Sequence, residues 1–320
     1  MKKSLALAIA LAAGMLCGSV SAQEAYPNKP IKIIVPLAPG GSTDVAARVI
    51  AEALQRELGQ PVIVENKAGA SGTIGAGFVA KAPADGYTIL IGTGSTHVVA
   101  PATLKNTPYD PLADFTPIGL VGRAPFLFFA GPSMLANSLA DILALARAQP
   151  GVVSFGTTGP AATYELAALT LEALGNVKFN HVPYKGFAPL VIDLAGGVLD
   201  VAVGPVDSTT LNSRIRSIAT LGAKRITSRP NTPSAAEAGY PAFNVPVWAA
   251  IYGPPGLPRP IAAKLIGALR VALAQPQVQA RIGGVGINVD WGDDAALQKV
   301  MADDLATVRQ LMKSANVEPQ

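Results

Sequence analysis

Cysteine is nearly missing from this chain: Cys17 is the single one in 320 residues. There are also only two histidines. A disulfide framework is excluded, and so are the thiolate and His/Cys ligand sets of a zinc site, because His97 and His181 have no partner at metal spacing. Charge is sparse as well, with 14% Asp, Glu, Lys and Arg. Part of the net charge of +4 comes from Lys2 and Lys3 at the very start, and the remaining excess is spread without clusters. No stripe of that kind follows a phosphate backbone, so a nucleic-acid partner is not expected. Beyond the first residues no run of about eighteen uncharged apolar residues occurs, so no membrane span is expected. The chain also has no Gly-x-Ser-x-Gly elbow, no Walker loop and no full dinucleotide fingerprint. No catalytic residue, metal or cofactor is therefore assigned.

Lys2 and Lys3 stand before an apolar run from Leu5 to Leu16, and Val20-Ser-Ala22 offers small residues at a cleavage site. This is a secretory leader over residues 1–22, cut after Ala22. Cleavage removes Cys17, whose preceding Gly14-Met-Leu16 fits a lipobox poorly. The expected location is a bacterial periplasm, and the mature chain is expected to be monomeric.

About three hundred remaining residues suit two domains better than one. Apolar, β-rich runs at Ile31–Val35, Val62–Val64, Tyr87–Ile91, Phe126–Phe129, Val198–Val203, Ser217–Leu221 and Val247–Tyr252 alternate with helical periodicity. Val45, Val49, Ala53 and Leu54 make one helix face that stops at Gly59, and Leu166, Leu169 and Leu174 make another that ends at Gly175. Ser234 and Glu237 form a capping box for a helix that stops at Gly239. Long amphipathic helices are expected at Lys264–Leu273 and Ala295–Met312. The alternation predicts an α/β fold with parallel-rich sheets flanked by helices. Arg123-Ala-Pro125 and Asn244-Val-Pro246 look like two crossings between lobes. Residues 23–124 with 246–320 then form one discontinuous domain, and 125–245 form an inserted one. A cleft between two such lobes is the usual place for a small ligand.

The most informative stretch is Ile33-Ile-Val-Pro-Leu-Ala-Pro-Gly-Gly-Ser-Thr-Asp44: a buried strand, a Gly-rich turn, and a helix beginning at Ser42 or Thr43. Free N–H groups and the helix dipole make such a turn an anion site without a cationic side chain. Gly41 is expected where a side chain would block the anion or force a strained φ. Ser154-Phe-Gly-Thr-Thr-Gly-Pro-Ala-Ala-Thr-Tyr-Glu165 repeats the device in the inserted domain, with hydroxyls on Thr157, Thr158 and Thr163. Two further loops, carrying Ser71 and then Thr93 and Ser95, follow strand ends where ligands collect in α/β sheets. Tyr184 either closes over the ligand or packs at the domain edge. Glu165 is either a favourable first-turn acid or, with Asp207, a carboxylate facing the cleft, where it would repel a second ligand carboxylate.

Several pieces carry a resemblance: Tyr26-Pro-Asn-Lys-Pro30, Val35-Pro-Leu-Ala-Pro-Gly-Gly-Ser-Thr-Asp44, Val64-Glu-Asn66, Ala84-Asp-Gly-Tyr-Thr88, Asp114-Phe-Thr-Pro117, His181-Val-Pro-Tyr-Lys-Gly186 and Pro233-Ser-Ala-Ala-Glu-Ala-Gly239. In this order they resemble the Bug-type solute receptors of tripartite tricarboxylate transporters. The resemblance implies a two-lobed periplasmic binding fold, type II-like, that closes on a carboxylate and delivers it to membrane permease subunits. It assigns the carboxylate to Leu37, Ala38, Gly40, Gly41, Ser42, Thr43 and Asp44. The far end of the ligand goes to Thr157, Thr158, Thr163 and neighbours such as Tyr164. This chain departs from the family pattern in having Leu37 where Phe is usual, Tyr164-Glu165 where His is frequent, and Gly204-Pro-Val-Asp207 in place of Phe-Asp. Two other readings stay open: a secreted enzyme acting on an anion in the same cleft, and a receptor that presents its ligand to a membrane sensor kinase.

Overall fold

The computed structural model describes residues 26–159, 162–206, 213–226 and 229–314. The expected leader with Cys17, and Asp207, lie outside the described residues. Among the described residues, eleven strands form two sheets. The first contains β1 (Ile31–Val35), β2 (Val62–Asn66), β3 (Thr88–Thr93), β4 (Thr116–Arg123), β10 (Trp248–Gly253) and β11 (Asn288–Gly292), in the order β11-β4-β10-β3-β1-β2. The second contains β5 (Phe126–Ala130), β6 (Ser154–Thr157), β7 (Asn180–Pro183), β8 (Val201–Pro205) and β9 (Arg216–Thr220), in the order β7-β6-β8-β5-β9. The helices are α1 (Ser42–Leu58), α2 (Thr73–Ala80), α3 (Ala100–Thr103), α4 (Leu139–Ala148), α5 (Thr163–Gly175), α6 (Phe187–Gly196), α7 (Arg259–Ala274), α8 (Pro276–Gly283) and α9 (Asp294–Ser314).

β1 lies between β2 and β3, parallel to both, and apart from the exposed Lys32 its apolar sequence reflects burial on both faces. β6 is likewise parallel to β7 and β8. These are the βα units that the alternation predicts. β10 enters its sheet from the edge toward which β3 and β4 run, so it pairs antiparallel with both. β5 does the same between β8 and β9. The two crossings pair with each other through Ala124 N–H donating to Val247 O at 2.9 Å. One apolar core runs through this hinge. It joins Leu90 and Tyr252 of the first lobe to Phe128 and Phe155 of the second, with Leu297, Met301 and Leu305 of α9 beside them. Trp248 Nε1, at the start of β10, donates to Asp304 Oδ2 of α9 at 2.9 Å.

Some elements differ from the sequence reading. The strand expected at Val198–Val203 starts only at Val201, because Gly197 takes a left-handed turn (φ +77) and Val198 is left exposed. α5 ends at Gly175 as expected, and Asn176 takes the left-handed cap position after it (φ +48). The Ser234–Glu237 box is reciprocal: Ser234 N–H donates to Glu237 Oε2 at 2.7 Å, and Glu237 N–H donates to Ser234 Oγ at 3.2 Å. It closes a single turn rather than a helix, since Gly239 reverses the chain at once (φ +91) and Pro241 follows. Gly59 ends α1 as expected (φ +68).

Candidate functional site

β1, β3, β4 and β10 bring their hinge-side ends to one edge, and the loops that leave this edge make the lobe-one half of the site. The Leu37–Asp44 loop runs from β1 into α1, whose N-cap is Gly41 with no side-chain cap. The first helical bond is Val45 N–H to Gly41 O. The N–H groups of Ser42, Thr43 and Asp44 therefore have no acceptor among the described residues, as expected of an uncapped first turn. Ala38, Gly40, Gly41 and Ser42 are exposed, while Leu37 and Thr43 are half-buried. The positive φ falls on Gly40 (+84), whereas Gly41 has φ −77, so the expectation of a strained φ at Gly41 is corrected. The Gly40 amide is drawn inward by the carboxylate behind it, and that sets the turn.

That carboxylate is Asp44, which lies inside the loop. It accepts from Gly40 N–H at 3.0 Å, from Arg48 Nε and Nη2 at 3.1 and 3.0 Å, and from Asn66 Nδ2 at 2.9 Å. Asn66, the last residue of β2, also donates to Leu37 O at 3.1 Å. Burial works to raise the Asp44 carboxyl, but the hydrogen bonds from Arg48, Gly40 and Asn66 outweigh it and hold it below the ordinary carboxylate range. Asp44 thus acts as a brace for the loop, a role invisible in the carried-over motif.

The neighbouring loops pack just as closely. Ser71 sits in a 3₁₀ turn with φ +54, next to α2. Thr93 and Thr96 bind each other: Thr93 N–H donates to Thr96 Oγ1 at 2.9 Å, and Thr96 N–H donates to Thr93 Oγ1 at 3.4 Å. Gly94 lies so near the second crossing that a Cβ there would overlap Pro246 O. A Cβ on Gly75 would stand 2.7 Å from Lys67 O and 2.8 Å from Pro36 Cα.

The second half comes from the other lobe. α5 starts at Thr163 with Ala162 as N-cap and no side-chain cap, so the N–H groups of Thr163, Tyr164 and Glu165 are unpaired among the described residues. The hydroxyls of Ser95 and Thr163 lie 2.8 Å apart and join the two lobes directly. Thr157, at the end of β6, is 1% exposed, and its Oγ1 has no hydrogen-bond partner. Thr158 is half-buried. On this side Gly159 and Gly186 have nothing near a would-be Cβ.

Tyr164 packs at a tilt between two rings, with centroids 5.5 Å from Phe126 and 5.8 Å from Phe187. Burial raises its phenol, and its hydroxyl has no partner among the described residues. Tyr184 Oη donates to Asp193 Oδ2 of α6 at 2.9 Å. Burial and this carboxylate push its phenol up to about 12. Its hydroxyl is therefore engaged within its own lobe.

Neither histidine is placed as a catalytic base. His97 is fully buried, stacked on Tyr252 at 4.0 Å and close to Phe115 at 4.7 Å, and desolvation lowers its pKa to about 3. His181 is clamped between two acids of α5, with Nδ1 2.7 Å from Glu165 Oε1 and Nε2 3.2 Å from Glu172 Oε1. Those hydrogen bonds raise it to about 9. Glu165 is thereby occupied by an imidazolium. Sequence reasoning missed this clamp, although the seven-residue spacing of Glu165 and Glu172 already places both on one helix face. No group of three or more His, Cys, Asp or Glu is placed to hold a metal among the described residues. A separate cavity of about 260 Å³ lies at the hinge, between Arg123, Phe126, Asn244, Asn288 and Asp304.

Two α/β lobes, a paired hinge and an uncapped helix N-terminus from each lobe at the hinge edge define a bilobal solute-binding protein. Residues 46–317 match the tripartite tricarboxylate transporter family receptor, and the chain belongs to that family. It is a periplasmic solute-binding receptor of this transporter type. It is 38% identical over 254 residues to BugT of Bordetella pertussis, covering 78% of either chain. Among solved structures it resembles a Rhodopseudomonas palustris protein with adipate (31% identity, TM-score 0.83, 92% of this chain and 100% of that one). It also resembles MatC of the same species with bound malate (28%, TM-score 0.80, 89% and 99%).

Proposed function

We propose that this receptor captures a small carboxylated solute between its lobes and hands it, unchanged, to the membrane permease subunits of a tripartite transporter. One observation carries the reading. An uncapped helix N-terminus from each lobe reaches the same interlobe edge, where Ser95 and Thr163 already touch. Free amides and helix dipoles in that arrangement suit an anion. In this reading the main chain at Leu37, Ala38, Gly40, Gly41, Ser42 and Thr43 holds the carboxylate, and Asp44 keeps the loop in shape. Ser71, Thr93 and Ser95 border it, while Thr157, Thr158, Thr163 and Tyr164 meet the far end. Tyr184 closes the lobe behind them. The lobes exchange the chain at 124–125 and 245–246 and rotate there as a monomeric clamp. The structures with adipate and malate support a carboxylate as the class. Two histidines already committed to packing and to an ion clamp argue against a hydrolytic role.

The test is a thermal-shift panel of mono-, di- and tricarboxylates, with mass spectrometry of the recovered compound. Ligand at a hundredfold excess over its dissociation constant adds about 2.7 kcal/mol of stability. At least one carboxylate should raise the melting temperature and be returned unchanged. Stabilisation only by neutral sugars or peptides overturns the carboxylate reading, and a converted product restores the enzyme.

A further inference from the structure

We infer that the solute's body is an aromatic ring, gripped by an aromatic shelf on the second lobe. The inference rests on the carboxylate reading of the same cleft and names the ligand class within it. The shelf consists of Phe126, Tyr164 and Phe187, three rings brought together from a hinge crossing, the first turn of α5 and the first turn of α6. Tyr164 follows Thr163, whose hydroxyl touches Ser95 of the other lobe, so the shelf begins where the lobes meet. Tyr164 and Phe187 are half-buried, and Phe126 beneath them is 7% exposed.

Gly204 is part of the same arrangement. The Phe187 ring lies directly over it, and a Cβ at that position would overlap ring carbons Cε2 and Cζ. The missing side chain on β8 is what lets Phe187 lie next to Tyr164. The carboxylate loop in the opposite lobe carries Leu37 and no ring, so aromatic surface is concentrated on one wall of the site.

Polar groups of the same lobe are suited to oxygen at the far end of such a ring. Thr157 Oγ1 is buried without a partner, and the Tyr164 hydroxyl has none among the described residues. The amides of the first turn of α5 are free as well. Glu165, the acid that would have favoured an ammonium group, is taken up by His181. An aryl acid with an oxygen substituent opposite its carboxylate fits all of these features. The carboxylate goes to α1, the ring to the shelf, and the second oxygen group to Thr157, Tyr164 and α5. Ring contacts of this kind favour offset or edge-to-face packing and add to simple area burial.

The test uses the whole mature protein and two ligands of equal charge and similar carboxylate separation, terephthalate and adipate, with 4-hydroxybenzoate as a third. Calorimetric titration should show terephthalate or 4-hydroxybenzoate binding at least about tenfold more tightly than adipate. Tyr164→Leu and Phe187→Leu should each remove about tenfold of the aryl affinity while changing adipate binding less than about threefold. Two separate variants, each checked by its melting curve, guard against a folding defect in one of them. Tighter binding of adipate, or equal losses for both ligand types, overturns the aromatic inference and leaves the carboxylate reading intact. If no member of the panel and no other carboxylate binds, both fall together.

Discussion

Replacing His181 with Gln should produce a stability loss that depends on pH in a defined direction. In the folded protein His181 is raised from 6.5 to about 9 by its hydrogen bonds to Glu165 and Glu172. Its side chain and that of Glu165 are each 23% exposed, and that of Glu172 is 8% exposed, so the charges are only partly screened. A group whose folded pKa lies above its unfolded one contributes its full share below the unfolded value and loses it as pH rises through the folded value. The stabilisation is therefore complete near pH 6 and gone above pH 9. At about 1.4 kcal/mol per pH unit, the rise corresponds to about 3 kcal/mol, an upper bound for a partly solvated clamp. For a protein of this size that is a melting-point change of about 6 °C. The assay is a set of melting curves for wild type and His181→Gln from pH 6 to pH 10. The gap between the two should be widest at pH 6 and close toward pH 10, which cancels titrations common to both proteins. A gap that stays constant over this range refutes the clamp as a charged one.

Two further outcomes follow from the first lobe. Asp44→Asn removes the charge that collects Gly40 N–H, Arg48 and Asn66, and should cost about 1–3 kcal/mol of stability. It should also weaken carboxylate binding at least about tenfold by loosening the loop, and unchanged calorimetric affinity would show that the brace does not set the site. Gly94→Ala places a methyl group against Pro246 O. It should destabilise by more than about 4 kcal/mol, and a wild-type melting curve would mean that the loop and the hinge do not touch as described.

Much of this molecule is readable in its sequence, for reasons that can be named. Ile31–Val35 is apolar except at the exposed Lys32 because β1 is covered on both faces over most of its length, and Gly59 ends α1 because only a residue tolerant of positive φ fits there. The strand β4 is harder to see. Its apolar run is broken by Gly119 and Gly122, which are small because Trp291 and Asn288 lie against them. The strand β11 reads Asn-Val-Asp-Trp-Gly, a short edge sequence whose apolar face is only Val289 and Trp291. In the site, the backbone loops were legible from Gly, Ser and Thr at strand ends. The work of Asp44, Asn66 and His181 was not, because each depends on a partner from another element. The same is true of Gly204, whose value lies in the ring that covers it.

The glycines of the two half-sites give them unequal freedom to change. On the first lobe, Gly75 and Gly94 are pressed against main-chain atoms of Lys67, Pro36 and Pro246, so the end of β1, the neighbouring turn and the hinge form one locked block. On the second, Gly159 and Gly186 open onto free space, and the wall between them is built of separate side chains rather than tightly opposed backbone. A new preference for the far end of the ligand can therefore arise by exchanging one ring or hydroxyl at a time. A new preference for the near end would require rebuilding the hinge. The scaffold is thus a fixed socket for one chemical group joined to an interchangeable gauge for the rest of the molecule, and redesign for a different acid should begin at positions 126, 157, 164 and 187.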